Sequence, residues 1–195
     1  MKCLKIVPLE KSIQSGVDIP GSKSYTNRAL ILAALTRGKV KILNPLLSDD
    51  TAAMISCLEE LGIRCASKDG GIEVTADIGA IKDRAYDLDA NLSGTTIRFI
   101  LALSAIVPGV KTIRGRGRLN ERPIGDLVEA LRQLGAKIEY LEKEGFPPLC
   151  VSSSKLSPGT ITMNGVVSSQ FLSAILMVAP IVGNITVEVI LYCFA

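Results

Sequence analysis

Ser56-Cys57-Leu58-Glu59-Glu60-Leu61-Gly62-Ile63-Arg64 returns later in the chain as Glu129-Ala130-Leu131-Arg132-Gln133-Leu134-Gly135-Ala136-Lys137. Each copy reads as the end of an amphipathic helix that closes on Leu-Gly, then a small or β-branched residue and a cation. Met54, Cys57, Leu58 and Leu61 fall on one helical face, as do Ile124, Leu127, Val128, Leu131 and Leu134. Gly62 and Gly135 suit the left-handed position just past a helix end, and Pro123 suits a first helical turn. The two glycines stand 73 positions apart (135 − 62).

A second set of segments recurs at nearly the same interval. Arg28 heads Ala29-Leu30-Ile31-Leu32-Ala33-Ala34-Leu35, Arg98 heads Phe99-Ile100-Leu101-Ala102-Leu103, and Gln170 heads Phe171-Leu172-Ser173-Ala174-Ile175-Leu176-Met177. These runs are apolar almost all round, which predicts buried helices. Gly38, Gly109 and Gly183 are expected to close them. Strands are expected at 39–43 and 111–114, and further strands at 72–76, 137–141 and 149–152. The fold class is therefore α/β, built of repeated units around buried helices, because units that cannot bury their faces alone need neighbours. The third unit starts near Ser168 and ends after one helix and one strand, so by its own period it reads as truncated. A compact fold of two and a half units is the alternative.

Composition narrows the chemistry. The chain has 195 residues, of which 48% are apolar and 21% charged, enough to bury a sizeable core. A net charge of +3 demands neither nucleic acid nor membrane. With no histidine, a Ser-His-Asp triad, a Cys-His pair and a His-ligated metal are all excluded. Proton transfer falls to Lys, Asp, Glu, Tyr or Cys, or to another chain. Five cysteines without a Cys-x-x-Cys pair, and no apolar core in the first twenty residues, point to a reducing cytoplasm. From Phe171 to Ala195 only Glu188 is charged. That run is long enough to span a bilayer, but Pro180, Gly183, Asn184 and Glu188 interrupt it, so a buried helix followed by a buried strand is expected.

The heads of the three buried helices share a chemistry. They read Pro20-Gly21-Ser22-Lys23-Ser24-Tyr25-Thr26-Asn27-Arg28, Ser93-Gly94-Thr95-Thr96-Ile97-Arg98 and Gly165-Val166-Val167-Ser168-Ser169-Gln170. Free N–H groups and the helix dipole favour an anion there, and Lys23, Arg28 and Arg98 add full charges. At any one of these heads, Ser and Thr acting only as helix caps is the simpler account. Three such heads at one period favour an anion site. A fourth basic segment, Arg114-Gly115-Arg116-Gly117-Arg118-Leu119-Asn120-Glu121-Arg122, lacks an aromatic residue to stack a base. It reads best as an ordered loop that delivers Arg122 to an anion; a solvated loop and an Arg-Gly nucleic-acid binder are the alternatives.

At these residues the chain resembles a known family. Pro20-Gly21-Ser22-Lys23-Ser24 with Asn27-Arg28-Ala29-Leu30 is similar to the N-terminal signature of the 5-enolpyruvylshikimate-3-phosphate (EPSP) synthases, which are enolpyruvyl transferases. The segments 93–98, Glu121-Arg122-Pro123-Ile124, Tyr140-Leu141-Glu142 with Pro147-Pro148-Leu149, and Ser168-Ser169-Gln170-Phe171-Leu172 resemble its later motifs. The resemblance implies two domains, each an inside-out α/β barrel of three βαβαββ units. It also implies transfer of the enolpyruvyl group of phosphoenolpyruvate to the 5-hydroxyl of shikimate 3-phosphate, without metal or cofactor. Lys23 would meet both substrates. Ser24, Arg28, Ser168, Ser169 and Gln170 would contact shikimate 3-phosphate. Gly94 and Arg122 would contact phosphoenolpyruvate, with Arg98 beside them.

Two departures stand out. Leu92 occupies the place where the family motif has Asn, with Asn91 one position off, and Phe99 follows the motif arginine. The resemblance further implies that residues 1–20 belong with a second domain absent from this chain, and that 21–195 form an incomplete first domain. Its proton-transfer residues would lie largely in that second domain, so turnover by this chain alone is expected to be low. A transferase acting on UDP-N-acetylglucosamine and a non-catalytic anion-binding module are the other expectations.

Overall fold

A computed structural model describes residues 4, 5, 7, 8, 12, 14–152, 155–164 and 168–190. Five helices and nine strands run in the order α1 (Lys23–Leu35), β1 (Gly38–Leu43), α2 (Asp49–Glu60), β2 (Arg64–Lys68), β3 (Gly71–Ala76), β4 (Ala85–Asp89), α3 (Gly94–Ser104), β5 (Val110–Arg114), α4 (Gly125–Gln133), β6 (Lys137–Tyr140), β7 (Leu149–Ser152), β8 (Gly159–Asn164), α5 (Ser169–Val182) and β9 (Ile185–Ile190) among these residues. Two short 3-10 turns lie at Ile78–Ala80 and Gly117–Leu119.

The repeat is physical. The stretch β4-α3-β5-α4-β6-β7 is one complete βαβαββ unit: β4 and β5 pair in parallel across α3, and β7 then pairs antiparallel with both β5 and β6. The first unit repeats the later part of this plan, with β3 antiparallel between β1 and β2. The third repeats the opening part, with β8 parallel to β9 across α5. The three apolar helices α1, α3 and α5 pack on one another at the centre, while α2 lies on β4 and α4 on β8, the first strand of the following unit. Each amphipathic helix thus buries its apolar stripe on its neighbour: Met54, Cys57, Leu58 and Leu61 are buried, as are Ile124, Leu127, Val128, Leu131 and Leu134. Helix α3 is the most enclosed, with every residue from Phe99 to Ser104 at zero exposure.

Several sequence expectations are corrected. Helix α4 begins at Gly125, so Pro123 precedes it rather than opening its first turn, and the N–H of the cap residue Ile124 donates to the Gly145 carbonyl at 2.9 Å. Helix α5, as expected, is closed by Gly183 (φ 117°), with Pro180 inside its last turn. The strand after it, β9, is mostly exposed rather than buried. Helix α1 ends at a Thr36 cap before Gly38, and α3 ends at Ala105 before Gly109. Strands β2, β4 and β8 add to those expected. No helix among the described residues is long and apolar enough to cross a membrane.

Candidate functional site

Each central helix starts on a serine cap. The Ser22 side chain accepts from the Tyr25 N–H, Ser93 accepts from the Thr96 N–H at 3.1 Å, and Ser168 accepts from the Gln170 N–H at 3.3 Å. These caps satisfy one donor apiece and leave other first-turn N–H groups free. The three heads are stitched together sideways. Gln170 Oε1 accepts from Arg98 Nη1, and Gln170 Nε2 donates to Thr95 Oγ1 at 3.2 Å, so one amide joins α5 to α3. Arg28 Nη2 donates to Ser173 Oγ at 3.0 Å and its guanidinium lies over the Phe99 ring, joining α1 to α5 and α3.

These heads enclose a polar cleft of about 440 Å³. Its walls carry the cations Lys23, Arg98 and Arg122, with Ser24, Gly94 and Gln170 between them, so six of the nine residues expected at the site meet there. Arg122 arrives on the loop between the second 3-10 turn and α4. Gly94 leaves open the space between two guanidinium groups: a Cβ there would stand 3.1 Å from Arg122 Nη1 and 3.4 Å from Arg98 Nη1. Arg28 does not line the cleft; it is half-buried against Ser173 and Phe99. Ser168 and Ser169 sit exposed at the start of α5, beside Gln170 but outside the cleft wall. Gly165, Val166 and Val167 lie outside the described residues.

The departures acquire places. Leu92 lines the cleft, 66% exposed, while Asn91 faces a separate depression with Asp89 and Arg116. Phe99 is fully buried under Arg28 and does not reach the cleft.

Sequence reasoning missed Asp50, the one carboxylate among the described cleft-lining residues. It sits in the first turn of α2, behind a Ser48–Thr51 capping box. Its side chain pairs with Lys23, and its carbonyl accepts from Thr96 Oγ1 at 3.1 Å. Burial pushes the Asp50 carboxyl up, but hydrogen bonds from Lys23 and Ser93 and the charges of Lys23 and Arg122 outweigh it, so it titrates below the usual carboxylate range. Burial, then repulsion from Arg122, lowers the Arg98 guanidinium from its ordinary value. The signal that could have found Asp50 is the pair Asp49-Asp50 at a helix start facing a lysine-bearing helix start.

The Arg-Gly segment is largely spent on structure. Arg114 bonds both Asp87 oxygens at 2.9 and 3.0 Å, and Arg116 bonds Asp89 through two nitrogens at 2.9 and 2.7 Å. Among the described residues, Cys57, Cys65 and Cys150 are free thiols, and burial raises Cys57 to about 12 and Cys65 to about 11, leaving both unreactive. A depression of about 480 Å³ near the end of α2 holds none of the cleft residues, and its Arg84 is tied to Glu60.

A family profile described as EPSP synthase (3-phosphoshikimate 1-carboxyvinyltransferase) matches residues 8–192, nearly the whole chain. The chain belongs to the EPSP synthase family. Its curated relatives include a 3-phosphoshikimate 1-carboxyvinyltransferase of Shewanella amazonensis, 42% identical over 97% of this chain, and one of Vibrio atlanticus, 41% identical over the same share. The chain spans 45% of the length of each. Among solved structures, the EPSP synthase of Acinetobacter baumannii superposes with a TM-score of 0.75 at 22% identity, over 83% of this chain and 37% of that one. That likeness establishes the EPSP synthase fold here.

Proposed function

We propose that this chain supplies one wall of a site that transfers the enolpyruvyl group of phosphoenolpyruvate to the 5-hydroxyl of shikimate 3-phosphate, releasing phosphate, in aromatic amino-acid biosynthesis. The observation that carries this is the meeting of Lys23, Arg98, Arg122 and Gln170 in one cleft at the heads of α1, α3 and α5. Both substrates are polyanions, and a preorganised cationic wall offsets their repulsion while orienting them. Lys23 lies between the two. Ser24, Arg28, Ser168, Ser169 and Gln170 hold shikimate 3-phosphate; Gly94 and Arg122 hold phosphoenolpyruvate, with Arg98 alongside. Arg28 acts from the half-buried junction beside Ser173, one step behind the cleft wall.

In the proposed reaction the 5-hydroxyl gives up its proton and its oxygen bonds to the central carbon of phosphoenolpyruvate, as the methylene carbon takes a proton. The resulting methyl then returns a proton as the bond to phosphate breaks. The reaction takes no metal or cofactor. Asp50, engaged by Lys23, is a poor proton shuttle, so proton transfer is assigned to the part of the relatives that this chain does not span. Residues 1–20 are assigned to pair with that second domain, and 21–195 to the first. We place the protein in the cytoplasm, with neither nucleic acid nor membrane as partner.

The test is phosphate release from the two substrates by this chain alone, and by this chain mixed with the C-terminal portion of the Shewanella amazonensis relative. Slow release alone and restored turnover in the mixture are expected. Substrate binding without restored turnover would make the chain a non-catalytic anion-binding module. Turnover with UDP-N-acetylglucosamine in place of shikimate 3-phosphate would move it to the sister transferases.

A further inference from the structure

The carboxylate in the cationic cleft needs an explanation. Lys23, Arg98 and Arg122 line the same cleft of about 440 Å³, and the Arg98 guanidinium is lowered first by burial and then by the charge of Arg122. Asp50 is the charge that answers them. Its backbone is fixed from two sides: the α2 capping box holds the turn it stands on, and Thr96 of α3 bonds its carbonyl at 3.1 Å. Ser93, the cap of α3, supports its carboxylate. The partner, Lys23, stands at the first position of α1, and its side chain is 48% exposed against 23% for Asp50. The pair therefore consists of a fixed carboxylate and a mobile ammonium on a flexible four-carbon stem.

We propose that Asp50 is a built-in counterion, holding Lys23 while the cleft is empty and yielding it to an incoming anion. Binding is then an exchange: the Lys23 ammonium leaves one anionic partner for another, and Asp50 stays held by its place in the first turn of α2 and by the Thr96 bond to its carbonyl. Asp50 is a positioning residue here, setting where Lys23 rests and how tightly the cleft takes an anion. The proposal rests on the cleft being an anion site and is independent of which anion is the natural substrate.

The consequence is a coupling between the two residues. A partly exposed ion pair is worth at most roughly a fivefold effect in an equilibrium constant. Replacing Asp50 should therefore tighten anion binding by up to roughly fivefold when Lys23 is present. Part of any gain is simple removal of a negative charge, and that part survives without Lys23.

The experiment is a double-mutant cycle read by phosphorus NMR titration of inorganic phosphate into the full chain: wild type, Asp50→Asn, Lys23→Met and the double variant, each checked for folding by circular dichroism. The expected result is a clearly larger gain from Asp50→Asn with Lys23 present than with Met at 23. Equal gains in both backgrounds would overturn the proposal and leave the anion cleft intact. Weaker binding by Asp50→Asn would overturn it in the other direction, making the carboxylate an aid to binding. No phosphate binding by folded wild type or folded Asp50→Asn would overturn the anion-cleft reading with it. Asp50→Ser, which keeps a hydroxyl for Ser93, repeats the cycle where the Asn variant does not fold.

Discussion

Gly94→Ala separates the cleft from the fold. The added methyl would stand 3.1 Å from Arg122 Nη1 and 3.4 Å from Arg98 Nη1, closer than comfortable packing, and it would enter the space between the two guanidinium groups. What gives way is decided by tethering. Arg98 is held by Gln170 and lies over Phe171, whereas Arg122 is an exposed side chain on a loop. Arg122 therefore moves, and the fold barely registers it; stability should change by about 0.5 kcal/mol or less, as at ordinary surface positions. Binding should register it strongly. Losing one well-aimed bond from a cation to an anion costs about 1.5–3 kcal/mol, which is roughly tenfold to more than a hundredfold in affinity. Calorimetric titration of phosphoenolpyruvate, beside a thermal melt, reads both. Unchanged affinity with an unchanged melt would refute the placement of an anion between Arg98 and Arg122. Gly21→Ala is the contrast: its methyl would meet the Asn44 carbonyl oxygen at 2.2 Å and the Leu46 nitrogen at 2.9 Å, both backbone atoms that cannot swing away. It should lower the melting temperature sharply, and a melt within a degree of wild type would refute that close approach.

Other expectations are compact. Ser48→Ala removes the α2 capping box and should cost about 0.5–2 kcal/mol in denaturant unfolding; no loss would mean that the cap carries nothing. Lys111 is fully buried, donating to the Val107 and Gly109 carbonyls at 2.7 Å, and burial pushes its ammonium from 10.5 down to about 8. Between about pH 8 and 10.5 the unfolded chain holds that proton and the native chain does not, so this group's contribution favours folding increasingly as pH rises. Stability of wild type relative to Lys111→Met should rise across that window, and a flat difference would contradict the shift. With Arg114 and Arg116 committed to Asp87 and Asp89, single-stranded oligonucleotides should bind no more than weakly. Tight, steeply salt-dependent binding in a filter assay would restore the Arg-Gly reading.

What the sequence made legible follows from how local its signals are. The stripes of α2 and α4 are periodic and end on Leu-Gly, and Gly62 and Gly135 do adopt φ of 88° and 94°. The apolar runs of α1, α3 and α5 are long enough to declare burial, and their matching heads gave away the cleft. Strands β4 and β8 carried a quieter version of the same signal: Tyr86 and Leu88, like Ile161 and Met163, alternate inward along short stretches interrupted by polar residues. Strand β2, Arg-Cys-Ala-Ser-Lys, has almost no β-forming side chain and is specified by pairing with β3. Gly183, read as the end of α5, does end it, with Pro180 tolerated in the last turn. Asp50 was overlooked for a different reason. An acidic residue in a first helical turn looks like dipole compensation, and only the approach of α1 places Lys23 beside it.

The central claim is that three helix heads make one anion site, and calorimetric titration of shikimate 3-phosphate into the folded chain, beside Lys23→Ala, tests it most directly. The account predicts saturable binding by wild type that weakens at least roughly tenfold in the variant, the loss expected for a cation that meets the ligand. Equal binding by both proteins, or none by a folded wild type, would contradict it.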